Sequence, residues 1–388
     1  MMANKILFCA TVDYHFKAFH IPYMKWFKEQ GWEVHVAASG ELKLPFTDRK
    51  FNIPFKRSPV HTENARAYFQ LKKVIDQEKY QLIHCHTPMG GVLARLAARA
   101  ARKKGSKLIY TAHGFHFCKG APLKNWLLYY PIEKWLAQYT DCLITINMED
   151  YARALHHLKA KKIRHVHGVG VDTERFKPIT EQMKMKIRKS LGYQPDDFLL
   201  FYGAEFNQNK NHSLLLRAFA NIKEKMPHAK LLLAGEGITM EECKRQVVHL
   251  GIENMVDFLG YRNDVDQLLP ICDAAVSSSL REGLPVNIME AMACGLPVIC
   301  SNNRGHRELV VDGENGYLFS VDNPEQFENC LIALYQNPSP IDHMKLKFMN
   351  YSKKYSLKLV SRELMEIYSS FMVVDQNESK SKYSRSYL

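Results

Sequence analysis

The chain has 388 residues, more than a single hydrophobic core usually serves, so two domains are expected. Its apolar content of 46% and charged content of 24% are those of a globular protein, and no 18-residue apolar run predicts a membrane-spanning helix. Nine cysteines without a C-x2-C pair argue against a disulfide framework and a zinc ribbon and favour a reducing cytosol.

The net charge of +13 is concentrated in the first half of the chain. Residues 1–180 carry 29 Lys and Arg against 14 Asp and Glu, a net +15, whereas the remainder carries 24 against 26. This excess predicts a polyanionic partner, either an anionic membrane or nucleic acid, and a basic domain without such a partner is the alternative. The segment has no recognition helix and no aromatic RNA-binding signature, so nucleic acid is not expected.

Short apolar segments alternate with helical patterns throughout. In the first half, strands are predicted at 5–12, 32–39, 82–86, 107–112 and 142–147. The second half repeats the pattern at 198–203, 230–234, 256–260, 274–279 and 297–301. The alternation predicts an α/β protein with two domains, each built on a doubly wound parallel sheet.

The boundary between the domains is expected within 172–182, a polar segment that carries Pro178 just before a new helical pattern. The predicted domains are therefore 1–176 and 177–356. A helical pattern follows at about 357–372, and the polar residues 375–388, rich in Ser and Lys, are expected to be disordered.

Two segments of the first half combine basic with apolar side chains. In 92–105, Arg95, Arg99 and Arg102 form a basic stripe on a helix whose apolar face is expected to pack on the sheet. Residues 119–139 mix five Trp and Tyr with three lysines. Aromatic residues with lysines are typical of a lipid interface, so this segment predicts membrane contact, with an aromatic core and a solvated rim as the alternative.

Residues 277–309 read SSSLREGLPVNIMEAMACGLPVICSNNRGHREL, with Glu282 and Glu290 eight positions apart. Pro285 suits the first turn of a helix, and Gly283 allows close approach to the backbone. Because the segment lies between two predicted strands, its loop and helix N-terminus are expected at the ligand crevice of a parallel sheet. A helix N-terminus suits a phosphate, and carboxylates accept hydrogen bonds from sugar hydroxyls.

This segment resembles the EX7E donor-sugar signature of the family 4 glycosyltransferases, and the resemblance continues through DGENGYLF to Phe319. An ordinary βαβ unit is the alternative. The resemblance implies a GT-B fold, in which two Rossmann-like domains face a central cleft and the last helix packs back on the first domain. It also implies retaining transfer of a hexose or N-acetylhexosamine from a nucleotide sugar, with UDP favoured by analogy, and neither a cofactor nor a metal.

The chain also resembles enzymes that extend polyprenyl-diphosphate-linked glycans in exopolysaccharide or capsular polysaccharide biosynthesis. The resemblance implies such a lipid-linked acceptor, an anionic membrane surface and other polysaccharide-assembly enzymes as partners. The expected location is cytoplasmic and peripheral on the inner face of the cell membrane.

By the same resemblance, Glu290 holds the nucleotide ribose, Glu282 the transferred sugar, and Lys210 neutralises the diphosphate. His113, in TAHGF, matches a loop histidine that contacts the transferred sugar, so the expected catalytic residues are His113, Glu282 and Lys210. The resemblance adds further donor-side residues: Glu205, Gly260, Tyr261, Arg281, Gly283, Leu284, Pro285, Val286 and Gly305.

At one donor-side position the chain departs from the family pattern, because Glu205 stands where an arginine is usual. A carboxylate beside a diphosphate is repulsive, so Glu205 either turns away, for example to pair with Lys210, or faces a hydroxyl group of the ligand. Arg281 is the candidate for the missing positive charge.

On the acceptor side, the paired glycines usual after the first strand are missing, and Asp13, His15 and Lys17 occupy that region. They are candidate acceptor contacts together with His86, for which a buried structural histidine is the alternative.

The histidines and cysteines of HCH (84–86) and HGFHFC (113–118) raise the question of a zinc site. Because neighbouring side chains of a strand point to opposite faces, at most one histidine per strand end is expected in the crevice, and no metal site is predicted.

Two other functions fit the same sequence. A GT-B-fold sugar-nucleotide epimerase or phosphorylase would share the architecture. A non-catalytic peripheral membrane protein would explain Glu205 and the missing glycines.

Overall fold

The computed structural model describes residues 4–336 and 347–384, with side chains described as far as residue 372. Within these residues the strands form two sheets, and every pairing between neighbouring strands is parallel. The strand orders are β3-β2-β1-β4-β5-β6-β7 and β10-β9-β8-β11-β12-β13. The predicted fold class, two doubly wound parallel-sheet α/β domains, is therefore confirmed.

The strands are β1 Lys5–Val12, β2 Glu33–Ser39, β3 Arg49–Asn52, β4 Leu82–His86, β5 Lys107–Ala112, β6 Cys142–Thr145, β7 Lys162–His165, β8 Phe198–Gly203, β9 Ala229–Ala234, β10 Val256–Gly260, β11 Ala274–Ser277, β12 Val298–Ser301 and β13 Tyr317–Phe319. The helices are α1 Tyr14–Phe19, α2 Ile21–Glu29, α3 Glu63–Glu78, α4 Pro88–Ala97, α5 Arg99–Lys103, α6 Leu123–Ala137, α7 Met148–His157, α8 Glu181–Ser190, α9 His212–Asn221, α10 Met240–Leu250, α11 Val265–Leu268, α12 Val286–Ala293, α13 Arg304–Leu309, α14 Pro324–Gln336 and the C-terminal helix Leu357–Ser384. Short 3₁₀ turns lie at Glu253–Met255, Leu269–Ile271 and Lys353–Tyr355.

Three strands, β3, β7 and β13, were not predicted from the sequence. Each lies at the edge of its sheet and pairs with one neighbouring strand. Their sequences, RKFN, KIRH and YLF, are short, and the first two are charged. An edge strand is covered on fewer sides than a central one, so its sequence carries a weaker apolar signal.

The core of the first unit lies on both faces of its sheet, and β1 shows how the sequence achieves this. Ile6, Phe8 and Ala10 belong to one buried cluster, whereas Leu7 and Cys9 belong to another. Successive strand residues point to opposite faces, so a continuous apolar strand is covered by helices on both sides.

The C-terminal helix belongs to the first unit, which comprises Met1–Gly168 and Val360–Leu388. Its Val360, Leu364 and Tyr368 lie in the same buried cluster as Ile6 and Phe8. The Tyr368 hydroxyl lies 2.7 Å from Nδ1 of His84, a hydrogen bond that joins the end of the chain to β4.

The second unit, Val169–Leu359, begins earlier than the predicted boundary within 172–182. The reason is a backbone pairing. The N–H of Val171 donates to the carbonyl oxygen of Tyr355, and the N–H of Leu357 donates to the carbonyl oxygen of Val171, so residues 169–176 pack with the second unit. Its buried cluster includes Leu200, Tyr202, Leu231 and Leu233, from adjacent strands.

The C-terminal helix also continues through residues 375–384, for which the composition predicts disorder, whereas residues 385–388 lie outside the described part. The added stretch contains neither Gly nor Pro to end the helix. Among the described residues, no helix combines the length and the apolar character needed to cross a bilayer.

A buried ion pair in the first unit provides a test of this packing. The Arg95 guanidinium donates to both carboxylate oxygens of Glu133, at 2.7 and 2.8 Å, and lies 4.0 Å from the Tyr110 ring centroid. Glu133→Ala would leave a buried charge without its partner, so we expect a loss of about 3–5 kcal/mol in the free energy of unfolding.

Tryptophan fluorescence during urea unfolding measures this loss, because all four tryptophans (26, 32, 126 and 135) lie in the first unit. Asp76→Ala, which breaks the exposed pair with Lys72, is the control and should cost less than about 1 kcal/mol. Equal losses in the two variants would contradict the assigned role of the buried pair.

Candidate functional site

Two loops at the carboxyl ends of neighbouring strands, β8 and β11, are held together by hydrogen bonds in the second unit. The Tyr202 hydroxyl donates to the carbonyl oxygen of Lys210 at 3.0 Å, and the Ser278 hydroxyl approaches the same oxygen at 2.9 Å. The N–H of Leu280 donates to the carbonyl oxygen of Asn209 at 2.7 Å. These bonds fix the loop that carries Lys210 against the loop that carries Glu282.

An ion pair joins the functional side chains of these two loops. Nζ of Lys210 lies 2.5 Å from Oε1 of Glu282. Burial alone would lower the pKa of Lys210, but the Glu282 carboxylate outweighs it, so the pKa is raised. Burial likewise would raise the pKa of Glu282, but Lys210 lowers it below its ordinary value. Both groups are therefore charged near neutral pH.

The start of α13 forms a close wall beside Glu282. A Cβ atom at Gly305 would lie 2.8 Å from Cβ of Glu282, so only glycine permits this approach. Arg304 Nε donates to the carbonyl oxygen of Glu282 at 3.0 Å. The Asn303 side chain accepts from the N–H groups of Gly305 and His306 and thereby caps the helix.

Helix α12 begins directly after the Glu282 loop, with Pro285 as its N-cap residue and Glu290 as its fifth residue. Burial raises the pKa of Glu290 to about 7, although Arg175 acts in the opposite direction. The guanidinium of Arg175 is held by the carbonyl oxygen of Asn263 at 2.8 Å and by the carboxylate of Asp266. The Glu282 carboxylate thus lies before the N-terminal end of α12, and the Glu290 carboxylate lies in its second turn.

A cavity of about 370 Å³ borders Glu290. Glu205 and Tyr261 line it and are exposed, with Tyr261 at 71%. Since Lys210 pairs with Glu282, the suggested pairing of Glu205 with Lys210 is not the one that forms. Glu205 instead faces the cavity, where a carboxylate can accept hydrogen bonds from hydroxyl groups.

The remaining donor-side candidates fall into two groups. Gly283, Leu284, Pro285 and Val286 connect Glu282 to α12, and Gly260 has a φ of +63° next to the cavity wall. Arg281 is exposed, and its backbone oxygen accepts from Asn209 Nδ2 at 2.9 Å. The sequence reasoning missed three side chains that line this site or hold it: Arg175, Asn287 and Asn303.

The first unit has its own cavity of about 500 Å³ at the ends of β1, β4 and β5. The lining is largely apolar and aromatic and includes Tyr14, His15, Met89, Phe115, Phe117 and Tyr129. It also includes Glu133, from the buried ion pair, and Arg57, whose guanidinium donates to the Tyr14 hydroxyl at 3.0 Å.

Three of the four acceptor-side candidates, Asp13, Lys17 and His86, are not among the residues that line this cavity. The Asp13 carboxylate is buried and is occupied by Lys50 Nζ at 2.5 Å and the N–H of Leu42 at 2.8 Å, so its role is to hold the chain. Lys17 is exposed on α1 and is not among the residues that line the cavity. His15 does line it.

The argument that neighbouring strand residues point to opposite faces does not separate the two histidines of HCH. His84 and His86 are two residues apart and therefore point to the same face of β4, with ring centroids 4.0 Å apart. Nδ1 of His86 also lies 3.3 Å from Nε2 of His113, which follows β5.

The chain matches known proteins along most of its length. Residues 5–147 match the family model described as glycosyl transferase 4-like, and residues 183–355 match glycosyl transferases group 1. EpsD of Bacillus subtilis (strain 168) is 50% identical over 97% of this chain and 99% of its own. The chain belongs to the family 4-like glycosyltransferases. It is thus an enzyme that transfers sugars, and the epimerase, phosphorylase and non-catalytic alternatives are set aside.

Two further proteins are similar to this glycosyltransferase. An Escherichia coli enzyme named UDP-Gal:alpha-D-GlcNAc-diphosphoundecaprenol alpha-1,3-galactosyltransferase is 30% identical over 70% of each chain. HepE of Anabaena, in a crystal structure with UDP and glucose, has 20% identity and a TM-score of 0.77 over 95% of this chain and all of HepE. This structural likeness identifies the fold of the glycosyltransferase as GT-B.

The raised pKa of Glu290 predicts a pH-dependent stability. An unfolded glutamate has a pKa near 4.5, whereas that of Glu290 is about 7. Between these values the folded chain retains a proton that the unfolded chain releases, so this residue lowers stability as the pH rises through that window. We expect Glu290→Gln to gain thermal stability relative to the wild type between pH 5 and pH 8, measured without ligand.

Glu253→Gln, at an exposed position of the same unit, is the control and should show no such trend. A difference in Tm between Glu290→Gln and the wild type that stays constant with pH would contradict the prediction.

Proposed function

We propose that this glycosyltransferase transfers a hexose or N-acetylhexosamine, with retention of configuration, from a UDP-sugar to a polyprenyl-diphosphate-linked glycan in exopolysaccharide or capsular polysaccharide biosynthesis. The observation that carries the proposal is the Lys210–Glu282 pair at the start of α12, with Glu290 in the helix beside a cavity. The similarity to the Escherichia coli enzyme, whose name specifies a UDP-sugar and a diphosphoundecaprenol acceptor, supports both substrate classes.

In the proposed reaction, Lys210 and the N-terminus of α12 stabilise the diphosphate as it leaves. An ammonium group in a partly buried site acts more strongly on a developing charge than one in water. Glu282 holds this ammonium in place. When the donor binds, the diphosphate shares the charge of Lys210, and Glu282 becomes available to accept from hydroxyl groups of the sugar.

The other donor groups are recognised by hydrogen-bond acceptors. Glu290 accepts from the ribose hydroxyls in its ionised form, which donor binding therefore favours over the protonated form. Gly305 brings its backbone beside the transferred sugar, and Glu205 lies where a hydroxyl-bearing part of the ligand can reach it. His113 contacts the transferred sugar in this proposal. The acceptor attacks on the face from which the diphosphate leaves, and no protein nucleophile is assigned.

The same proposal includes a peripheral location at an anionic membrane, through α6. This helix exposes Leu123 (72%), Leu127 (71%), Leu128 (46%) and Trp135 (46%). Exposed lysines at 119, 124 and 134 flank them. Exposed leucines next to lysines are chemically complementary to a bilayer that carries negative headgroups.

Helix α6 also borders the cavity of the first unit through Tyr129, Ile132 and Glu133. A helix that touches the membrane on one side and the cavity on another would place a lipid-linked acceptor close to its binding site.

Substitutions at the donor site test the proposed transfer. We expect Lys210→Met and Glu290→Ala each to lower kcat/KM by about 10²–10³, because each removes a contact with the leaving nucleotide. Calorimetric titration without divalent metal, against UDP, GDP, ADP and UDP-hexoses, measures donor binding in parallel, and UDP-sugar binding should be lost in Lys210→Met.

Lys244→Met is the matched control, because Lys244 also pairs with a glutamate of the second unit but on its surface. Wild-type kcat/KM in Lys210→Met, or binding of no nucleotide by the wild type, would contradict the proposal.

Co-sedimentation with vesicles tests the membrane surface. Full burial of a leucine contributes about 1.5–3 kcal/mol, so we expect the triple change Leu123→Ser, Leu127→Ser and Leu128→Ser to weaken binding to anionic vesicles by at least about 10²-fold. Ile238→Ser with Val248→Ser removes exposed apolar residues from the second unit and should have no effect. Equal binding by the triple variant and the wild type would refute the surface.

A further inference from the structure

Five histidines converge in the first unit at the carboxyl ends of β1, β4 and β5. His20 and His86 have ring centroids 4.1 Å apart, and His15 lies 4.9 Å from His20, 5.0 Å from His113 and 5.2 Å from His86. His84 lies 4.0 Å from His86. All are buried except His113, which is half-buried. Such a concentration of imidazoles is more than the packing of a sheet edge requires.

Three of the histidines present ring nitrogens to one point. One nitrogen each from His15, His86 and His113 lie within 4.8 Å of one another. Nδ1 of His86 and Nε2 of His113 are 3.3 Å apart. Two nitrogens bound to the same tetrahedral Zn²⁺ at 2.0–2.1 Å would be separated by about 3.3–3.4 Å, so this pair already has the spacing of two ligands.

We propose that His15, His86 and His113 form a binding site for a divalent transition metal ion, with Zn²⁺ as the reference ion. Imidazole is a common ligand of zinc and also suits copper and nickel. Three histidines leave a fourth position for water or another small ligand. His15 lines the cavity of the first unit, and its Nε2 is buried with no hydrogen-bond partner among the described residues.

The neighbouring histidines have a different role from the three ligands. Nε2 of His20 lies 3.0 Å from Nε2 of His86. If Nδ1 of His86 binds the metal, its Nε2 carries the proton and donates to His20, which thereby fixes the orientation of the ring. His84 is not a ligand, because its two nitrogens are occupied by the Tyr368 hydroxyl at 2.7 Å and the Thr111 hydroxyl at 2.8 Å.

Occupation of the site has a consequence that rests on the proposed function. If His113 contacts the transferred sugar, a metal on its Nε2 removes that nitrogen from the contact. The ion would therefore inhibit transfer, while Lys210 and α12 continue to bind the diphosphate. The site is thus regulatory for the enzyme, and the transfer itself uses no metal.

Metal binding can be measured without reference to activity. Tag-free protein, stripped with a chelator, is titrated with Zn²⁺ against a chromophoric chelator at pH 7.5, and we expect one equivalent to bind. X-ray absorption of the zinc-loaded wild type should show about three imidazole nitrogens at 2.0–2.1 Å, and Co²⁺ should give the visible bands of a four-coordinate ion.

His15→Gln and His86→Ala should each weaken Zn²⁺ binding by at least about 100-fold, the upper end of the loss caused by altering a ligand's partner. His61→Ala, at an exposed position of the same unit, should leave it unchanged. Circular dichroism of the metal-free variants establishes that they are folded, and the absorption measurement needs no variant.

Absence of a saturable single equivalent, an absorption spectrum without histidine ligands, or equal affinity in His15→Gln and the wild type would overturn the site. Transfer by the zinc-loaded enzyme at the rate of the metal-free enzyme would overturn its inhibitory role. Failure of the metal-free enzyme to bind any UDP-sugar counts against the proposed function instead, since it does not alter the zinc titration.

Discussion

The ion pair between Lys210 and Glu282 is the interaction on which the proposed donor site depends. It joins two loops that are more than seventy residues apart in the chain and that meet only because β8 and β11 are neighbours in the sheet. Two partly buried charges are stable together because each offsets the desolvation of the other. The pair thus keeps a cation and an anion together at the proposed site, where a sugar diphosphate would use both.

The two units use the same topology for different chemistry. In both sheets the functional side chains follow the carboxyl ends of the central strands, where loops meet at the crevice of a parallel sheet. The second unit places charged groups and a helix N-terminus there, which suits a phosphate. The first unit places neutral imidazoles and aromatic rings around an apolar cavity, which suits a less polar ligand and, in our proposal, a metal ion.

The sequence predicted the central strands, and it grouped Glu282, Glu290 and the start of α12 in the proposed donor site, for physical reasons. Glu282, the start of α12 and Glu290 are close in the chain, so their spacing alone places them around one helix end. Arg175 joins the site from a distant segment, and no local pattern marks it. The three edge strands that were not predicted, β3, β7 and β13, are only three or four residues long, and two of them are charged, so their pattern is weak.

The histidine cluster shows a different limit of sequence reasoning. Alternation along β4 places His84 and His86 on one face. The prediction considered only adjacent residues, which point to opposite faces. His15 and His113 come from other segments, so the cluster exists only once β1, β4 and β5 are paired. Asp13 illustrates the same limit: its position after β1 suggested a ligand contact, and only the structure shows that Lys50 bonds its carboxylate.

The position of the C-terminal helix also determines when the first unit can be completed during synthesis. Tyr368 and Val360 fill the core beneath β1 and β4, but they leave the ribosome only after the whole second unit has been made. The second unit is continuous in sequence and needs no later segment, so it can close first, although it is encoded second. Until the C-terminal helix emerges, the first unit lacks the side chains of Val360, Leu364 and Tyr368 that complete its core.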